Sequence, residues 1–224
     1  MPETYLPPGI SPSNRAPRGS TARRLPEMAE RVAGGVLMTV ASPLIIASAL
    51  VVSLLSRRAP FVAHLRVGRG NKPFWMLKLR TMWDRDAAYL RGEGWVERIE
   101  AEPDNGHKDP SDPRITSRFA AFCRRHSIDE FPQFWHVARG EMSLVGPRPL
   151  TRTEVMRYYG PHATELLSVK PGITGLWQVL GRSAIRFPER AALDLELVRT
   201  LTLGKYLTIL VRTLPALIRG DGAW

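Results

Sequence analysis

A chain of 224 residues, 44% hydrophobic and 24% charged, holds one domain with a real core plus appendages, and is too short for two ordinary domains. Its mean hydropathy of −0.17 excludes a polytopic membrane protein, though not one embedded segment. The net charge of +11 calls for an anionic partner: nucleic acid, an anionic bilayer or a phosphorylated substrate. One cysteine, Cys123, rules out an intrachain disulfide, and the five histidines fall in no Cys/His metal-ligand spacing.

Residues 1–26, rich in Pro, Ser, Arg and Gly, read as a disordered basic tail. They make a poor signal peptide, because the apolar run comes late and is too long. Residues 32–56 then carry no charge at all. As a helix rising about 1.5 Å per residue, that run is long enough to cross a bilayer core. Pro43 stands near its middle, where it removes a backbone hydrogen bond and crowds the preceding turn. Basic residues flank both ends, Arg23, Arg24 and Arg31 before it and Arg57 and Arg58 after, so both flanks favour the cytoplasmic side. The expectation is a re-entrant membrane helix over 27–58, broken at Pro43, with the Ser42 hydroxyl satisfying a freed carbonyl. A kinked spanning helix and a buried core hairpin are the competing readings.

Residues 57–83 hold Arg57, Arg58, Arg66, Arg69, Lys72, Lys78 and Arg80 and no acid. Apolar interleaving predicts a short hairpin turning at Gly68, Gly70 and Asn71, then a helix or strand, with part of the charge meeting lipid headgroups. Residues 102–113, with Asp104-Asn-Gly and two Asp-Pro steps, read as a surface loop without a calcium-loop spacing. The run from Phe119 to Arg125 reads as a helix that buries Cys123 as a small hydrophobe. Beyond residue 186, Leu193, Leu197 and Leu201 form one helical stripe. Tyr206, Ile209, Leu210, Thr213, Leu214 and Leu217 form another, with Lys205, Arg212 and Arg219 off its centre. Core packing and a helix lying in the membrane interface explain these stripes equally well.

Residues 114–150 carry the chemistry. Ser127 and Glu130 stand in capping-box relation, which predicts a helix starting at Ser127 with Asp129 and Glu130 in its first turn. Pro132 is tolerated that close to the start, and Phe131, Phe134, Trp135 and Ala138 would form the buried stripe. Exposed N–H groups and the helix dipole favour an anionic Asp129, as a nucleophile requires. Glu130, about 100° further round, is placed to bind Mg²⁺. An S-x-D-E start taken alone is usually only a cap. Here Arg124 and Arg125 lie just upstream, and Arg148 sits between Pro147 and Pro149 in a rigid turn suited to bidentate phosphate contact.

These segments together resemble the bacterial sugar transferase family, the monotopic phosphoglycosyl transferases that start glycan assembly on undecaprenyl phosphate. The resemblance runs from about residue 28 to 218. It is carried by Ser42-Pro43, Arg66-Val-Gly68, Lys78-Leu-Arg-Thr-Met82, Asp112-Pro-Arg-Ile-Thr116 and Ser127-Ile-Asp-Glu-Phe-Pro-Gln133. Further on, Met142-Ser-Leu-Val-Gly-Pro-Arg-Pro149, Lys170-Pro-Gly-Ile-Thr-Gly175, Trp177-Gln178 and Gly181-Arg182 continue it. It implies that Asp129 attacks the β-phosphate of a UDP-sugar, expelling UMP, and that undecaprenyl phosphate then takes up the phosphosugar. It also implies Mg²⁺ as cofactor with Glu130 as its protein ligand, and Lys78, Arg80, Arg124 and Arg148 as phosphate or nucleotide contacts. Gln178 and Arg182 would stand on the nucleotide-sugar side, although Lys170-Pro-Gly-Ile-Thr-Gly175 also reads as a plain tight turn.

The chain departs from the family pattern at several positions. Phe131 and His136 replace the usual Leu and Asn. An acid expected after Thr202-Leu203 is missing, and so is an Asp expected within Arg31-Val-Ala-Gly-Gly35. The expected architecture is an α-rich α+β fold: the broken membrane helix, interfacial amphipathic helices, and a small cytoplasmic catalytic part over 59–224 with a short β-hairpin. The expected location is the cytoplasmic face of a bacterial inner membrane, with lipid but not nucleic acid as partner. The rival is a basic membrane- or nucleic-acid-binding protein without catalysis. The sugar, and whether copies form a homo-oligomer, are not legible in the residues.

Overall fold

The computed structural model describes residues 27–83, 94–100, 114–181 and 185–219. The expected basic tail, the 102–113 loop and Arg182 lie outside those residues. Helix α1, Glu27–Ser56, opens the described chain. An antiparallel hairpin follows, β1 (Phe61–Val67) and β2 (Pro73–Leu79), in register from Phe61 opposite Leu79 to Val67 opposite Pro73. Its turn runs through Gly70 and Asn71, both at positive φ, as Gly and Asn there predicted. The stretch after the turn is thus the hairpin's own second strand. Strand β3, Val96–Ile99, pairs parallel with β1, which makes β2 an outer strand of this sheet.

Helix α2 (Arg118–Arg125) is capped by Ser117, whose side chain accepts from the Ala120 amide. A 3₁₀ helix, Ile128–Gln133, leads into α3, Phe134–Arg139. Next come β4 (Ser143–Val145), α4 (Arg152–Tyr159), α5 (Ala163–Leu166), β5 (Gly172–Thr174) and α6 (Leu176–Leu180). Two longer helices close the described fold, α7 (Phe187–Thr200) and α8 (Leu203–Arg219). Strands β4 and β5 form a separate parallel pair. The α-rich α+β class and the hairpin agree with the sequence.

Three local expectations change. Helix α1 is continuous through Pro43, where two pieces were expected. Proline removes the one amide that would reach the Thr39 carbonyl, and the Ser42 hydroxyl donates to that oxygen at 2.7 Å, as anticipated. The capping box at Ser127 does not form. Ser127 adopts a left-handed conformation (φ 54°) without a side-chain cap, and the turn after it is 3₁₀ rather than α. The change of helix type shifts the phase, so Pro132, Gln133, His136 and Val137 point inward while Trp135 lies half exposed. The box that does form joins Thr151 and Glu154 at the start of α4.

Helix α1 belongs to the core along one stripe and is bare on the rest. Gly34 meets Val137 and Ala138 of α3, while Ala49 and Val52 pack with Leu79, Trp83, Ala120, Cys123 and Ile128. Glu30, buried, accepts from the Ser143 and Tyr206 hydroxyls. Val36, Val40, Leu44, Ile46, Leu50 and Leu54 are exposed. Helix α8 is two-sided as well. Tyr206 and Ile209 join the central cluster with Phe74, Met76 and Leu197, whereas Leu207, Val211 and Leu214 face out. The Leu193-Leu197-Leu201 stripe is mainly core, with Leu197 fully enclosed.

Candidate active site

Two clusters gather the predicted site residues. The first surrounds Asp129, which is buried in the first turn of the 3₁₀ segment. Cys123 of α2 is its neighbour: burial first, and then the charge of Asp129, push the thiol up to about 12. The cysteine is therefore an inert packing residue, as the sequence suggested. Glu130 turns away from Asp129 toward β2, where its Oε1 lies 3.2 Å from Lys78 Nζ, both side chains being largely enclosed. Arg124 completes the rim. Its Nη1 donates to the Thr81 hydroxyl at 3.4 Å, and its buried Nε has no hydrogen-bond partner among the described residues. A carboxylate and a metal-capable second carboxylate on the 3₁₀ turn, an ammonium on β2 and a guanidinium at the end of α2 thus make up this cluster.

Arg80 takes a different place from the one expected. It is buried, donating through Nε to the Ala59 carbonyl at 2.7 Å and pairing with Glu97 of β3. These contacts make it a brace from the end of β2 to β3.

The second cluster surrounds Arg148. Pro147 and Pro149 are buried and Arg148 is half-buried between them, with its guanidinium 5.8 Å from the Trp177 ring. Two glycine-bearing turns interlock beneath it. Gly146 N–H donates to the Thr174 carbonyl and Gly172 N–H to the Pro147 carbonyl, at 2.9 and 2.8 Å. A Cβ on Gly172 would sit 2.1 Å from the Gly146 nitrogen, so this approach requires glycine. Lys170-Pro-Gly-Ile-Thr-Gly175 is therefore more than a tight turn: it includes β5 and supports the Arg148 turn. Gln178 donates to the Ile173 carbonyl at 2.9 Å and stays beside that support.

Sequence reasoning missed two buried carboxylates. Asp194 of α7 is fully enclosed, receives the Tyr159 hydroxyl at 2.9 Å and faces Arg148 and Arg190. Burial pushes its carboxyl up to about 7, against the opposing pull of Tyr159 and Arg148. The acid beside Arg148 thus comes from α7, upstream of the position where the sequence lacked one. Glu30 is the other. The Asp missing from Arg31-Val-Ala-Gly-Gly35 has no room at Gly34, where even a Cβ would come within 2.7 Å of the Ala138 nitrogen. Only residue pairs far apart in sequence make these two acids visible, so no local spacing could have found them.

Residues 21–220 match the family described as bacterial sugar transferase. A UDP-galactose-lipid carrier transferase of Erwinia amylovora is 38% identical over 84% of this chain, which spans only 39% of that protein's length. The exopolysaccharide production protein ExoY of Rhizobium meliloti (strain 1021) is 33% identical over 93% of this chain and 90% of its own. A UDP-glucose:undecaprenyl-phosphate glucose-1-phosphate transferase of Caulobacter vibrioides is 35% identical, covering 86% of this chain and 69% of its own.

Proposed function

The chain belongs to the bacterial sugar transferase family, and on that premise we propose that it transfers a sugar 1-phosphate from a UDP-sugar to undecaprenyl phosphate. The product would start exopolysaccharide or glycan assembly. The observation that carries this reading is the buried Asp129 beside the Lys78–Glu130 pair and Arg124.

In the first step an Asp129 carboxylate oxygen attacks the β-phosphorus and the bond to the bridging oxygen breaks, so UMP leaves with that electron pair. An aspartyl-phosphosugar remains. In the second step a phosphate oxygen of undecaprenyl phosphate attacks the same phosphorus and the aspartate departs unchanged. Lys78 and Arg124 would stabilise the charge that builds on the transferring phosphoryl oxygens, and Arg148 would hold the nucleotide side. A noncatalytic basic protein would need the surface charge but not this enclosed carboxylate.

Mg²⁺ suits the donor set. It commonly takes one or two carboxylates and draws its other ligands from substrate phosphates and water. The described residues contain no group of three His, Cys, Asp or Glu able to hold an ion alone, and Glu130 offers a single carboxylate. When bound, the ion would neutralise the diphosphate, and Glu130 would hold it while Lys78 turns to the phosphate.

Location follows the same logic. Helix α1 is long and apolar enough to cross a membrane, yet residues near both of its ends pack on one domain. A helix crossing the bilayer would carry one end away from that domain, so the contacts support a helix whose two ends lie on the same, cytoplasmic, face of the membrane. The bare apolar faces of α1 and α8 would meet lipid.

The test uses protein in detergent with Mg²⁺, undecaprenyl phosphate and a panel of UDP-sugars that includes UDP-glucose and UDP-galactose. UMP release is expected with at least one donor and is expected to vanish in Asp129→Asn. No release from any donor, or release that survives the substitution, would defeat the proposal.

A further inference from the structure

We propose that His136 is a positioning residue that holds the β2 backbone, and through it Lys78, against Glu130, and that it does so only while its ring is neutral. The inference rests on the transferase reading and adds a control element to that site.

Strand β2 is bonded to β1 on one edge, and it also packs against the 3₁₀ segment and, through His136, against α3. An amide covered in this way needs an acceptor, since a buried N–H without one is costly. Leu77 finds it in a side chain: its N–H donates to His136 Nε2 at 3.0 Å. The next residue is Lys78, whose ammonium reaches Glu130 at 3.2 Å. One imidazole therefore joins α3 to the strand position adjoining the lysine of the site.

The tautomer follows from the partners. An amide can only donate, so Nε2 must present its lone pair and the ring proton must sit on Nδ1. Nδ1 faces Glu141 Oε2 at 2.6 Å, and Arg139 in turn holds the other oxygen of Glu141 at 3.1 Å. A second proton on the ring would set two N–H groups against each other at Leu77.

The groups around the ring on every side leave this bond as the sensitive one. On β2 the neighbour is the Phe74 ring, edge-on at 5.5 Å. From α1, Arg31 donates to the Ala138 carbonyl, and Glu30 is engaged by Ser143 and Tyr206. On the 3₁₀ segment Glu130 is occupied with Lys78. Glu141 and Arg139 are thus the charges that act on the ring, with opposite signs. Burial outweighs Glu141 and lowers the imidazole pKa below its ordinary value. The neutral, accepting ring is the resting state near neutrality, and acidification breaks the strap.

Two substitutions separate the bond from the bulk. In His136→Gln the amide oxygen falls near the place of Nε2, accepts the Leu77 N–H and cannot titrate. In His136→Leu the volume is kept and the acceptor lost. UMP release is followed from pH 5 to 8, with circular dichroism confirming that each protein is folded at each pH. His136→Gln is expected to keep kcat within about threefold at pH 7.5 and to decline less than wild type on the acid side. His136→Leu is expected to lose about tenfold in kcat at every pH, with little change in KM for the UDP-sugar. Independently of catalysis, ¹⁵N shifts should show His136 as the Nδ1–H tautomer.

An Nε2–H tautomer, or a His136→Gln acid limb identical to wild type, overturns the proposal. Should His136→Leu fail to fold, the tautomer and the His136→Gln profile still decide. A wild-type protein that releases no UMP overturns the transferase reading and this role with it. Wild-type release with an unaltered His136→Gln profile overturns this role alone.

Discussion

Gly34 and Gly35 are adjacent in α1, yet a methyl group added to each meets opposite surroundings. At Gly35 a Cβ would have nothing within 4 Å. At Gly34 it would lie 2.7 Å from the Ala138 nitrogen and 2.8 Å from two Val137 carbons. Alanine in place of glycine inside a helix contributes about 0.8–1 kcal/mol, so Gly35→Ala should gain roughly that amount. Gly34→Ala gains the same propensity but must push α3 away. The nearest atom is backbone and cannot rotate aside, and overpacking of this kind costs about 1–3 kcal/mol. The shared helix term cancels between the variants, leaving the clash as their difference. At about 2–4 °C per kcal/mol for a chain of this size, Gly34→Ala should melt roughly 5 °C below Gly35→Ala in the same detergent. UMP release should fall in Gly34→Ala and hold in Gly35→Ala, because α3 directly follows the turn bearing Asp129. A Gly34→Ala protein that melts at or above Gly35→Ala would refute the packing of α1 on α3.

Arg80→Met should lower stability by about 1–3 kcal/mol, through loss of the Ala59 and Glu97 contacts, without raising KM for the UDP-sugar. A large KM rise with unchanged melting would return Arg80 to the phosphate site. Asp194 has a folded-state pKa of about 7, above its ordinary 3.8, so the folded protein holds this proton more tightly than the unfolded chain. Its contribution is therefore most favourable at low pH and declines as pH rises from about 4 to about 7. Asp194→Asn should flatten that decline, measured by denaturant unfolding across the window. His136, whose pKa burial lowers, has the opposite slope, losing stability as pH falls below the ordinary imidazole value, and cancels in this comparison. An unchanged slope would count against the enclosed carboxylate. For topology, single cysteines at Met28 and Lys72, both exposed, should label from the same face, with buried Cys123 silent. Labelling from opposite faces would sink the re-entrant arrangement.

What could be read from the residues was local chemistry. The Gly70-Asn71 turn and the Ser42 hydroxyl on the Thr39 carbonyl each depend on neighbours a few residues away. The pairing of Asp129 with Glu130 stood out for the same reason. What escaped depends on distance along the chain. Glu30 becomes a buried acceptor through Ser143 and Tyr206, at separations of 113 and 176 residues. Arg80 and Lys78 looked alike in sequence, and two residues apart they would share a strand face; β2 ends at Leu79, however, and beyond it Arg80 turns to the Ala59 carbonyl and Glu97 while Lys78 reaches Glu130. At Ser127 the capping pattern was present, and a left-handed backbone overrode it. Strands of three or four residues, such as β4 and β5, carry too little periodicity to announce themselves.

The inner stripe of α1 has a practical meaning for anyone wanting this protein in plain buffer. Cutting the chain after Ser56 would remove Ala49 and Val52 from beneath Leu79, Trp83 and Ile128, and would take Glu30 from Ser143 and Tyr206. The remainder would be a protein with a hole in its floor, not a trimmed enzyme. A workable route leaves the backbone whole and recodes only outward positions. Val36, Val40, Leu44, Ile46, Leu50 and Leu54 would become polar, with Gly34, Ala41, Ile45, Ala49 and Val52 left as they are. Whatever such a variant loses in binding the proposed lipid acceptor then measures how much of the work the bilayer itself performs.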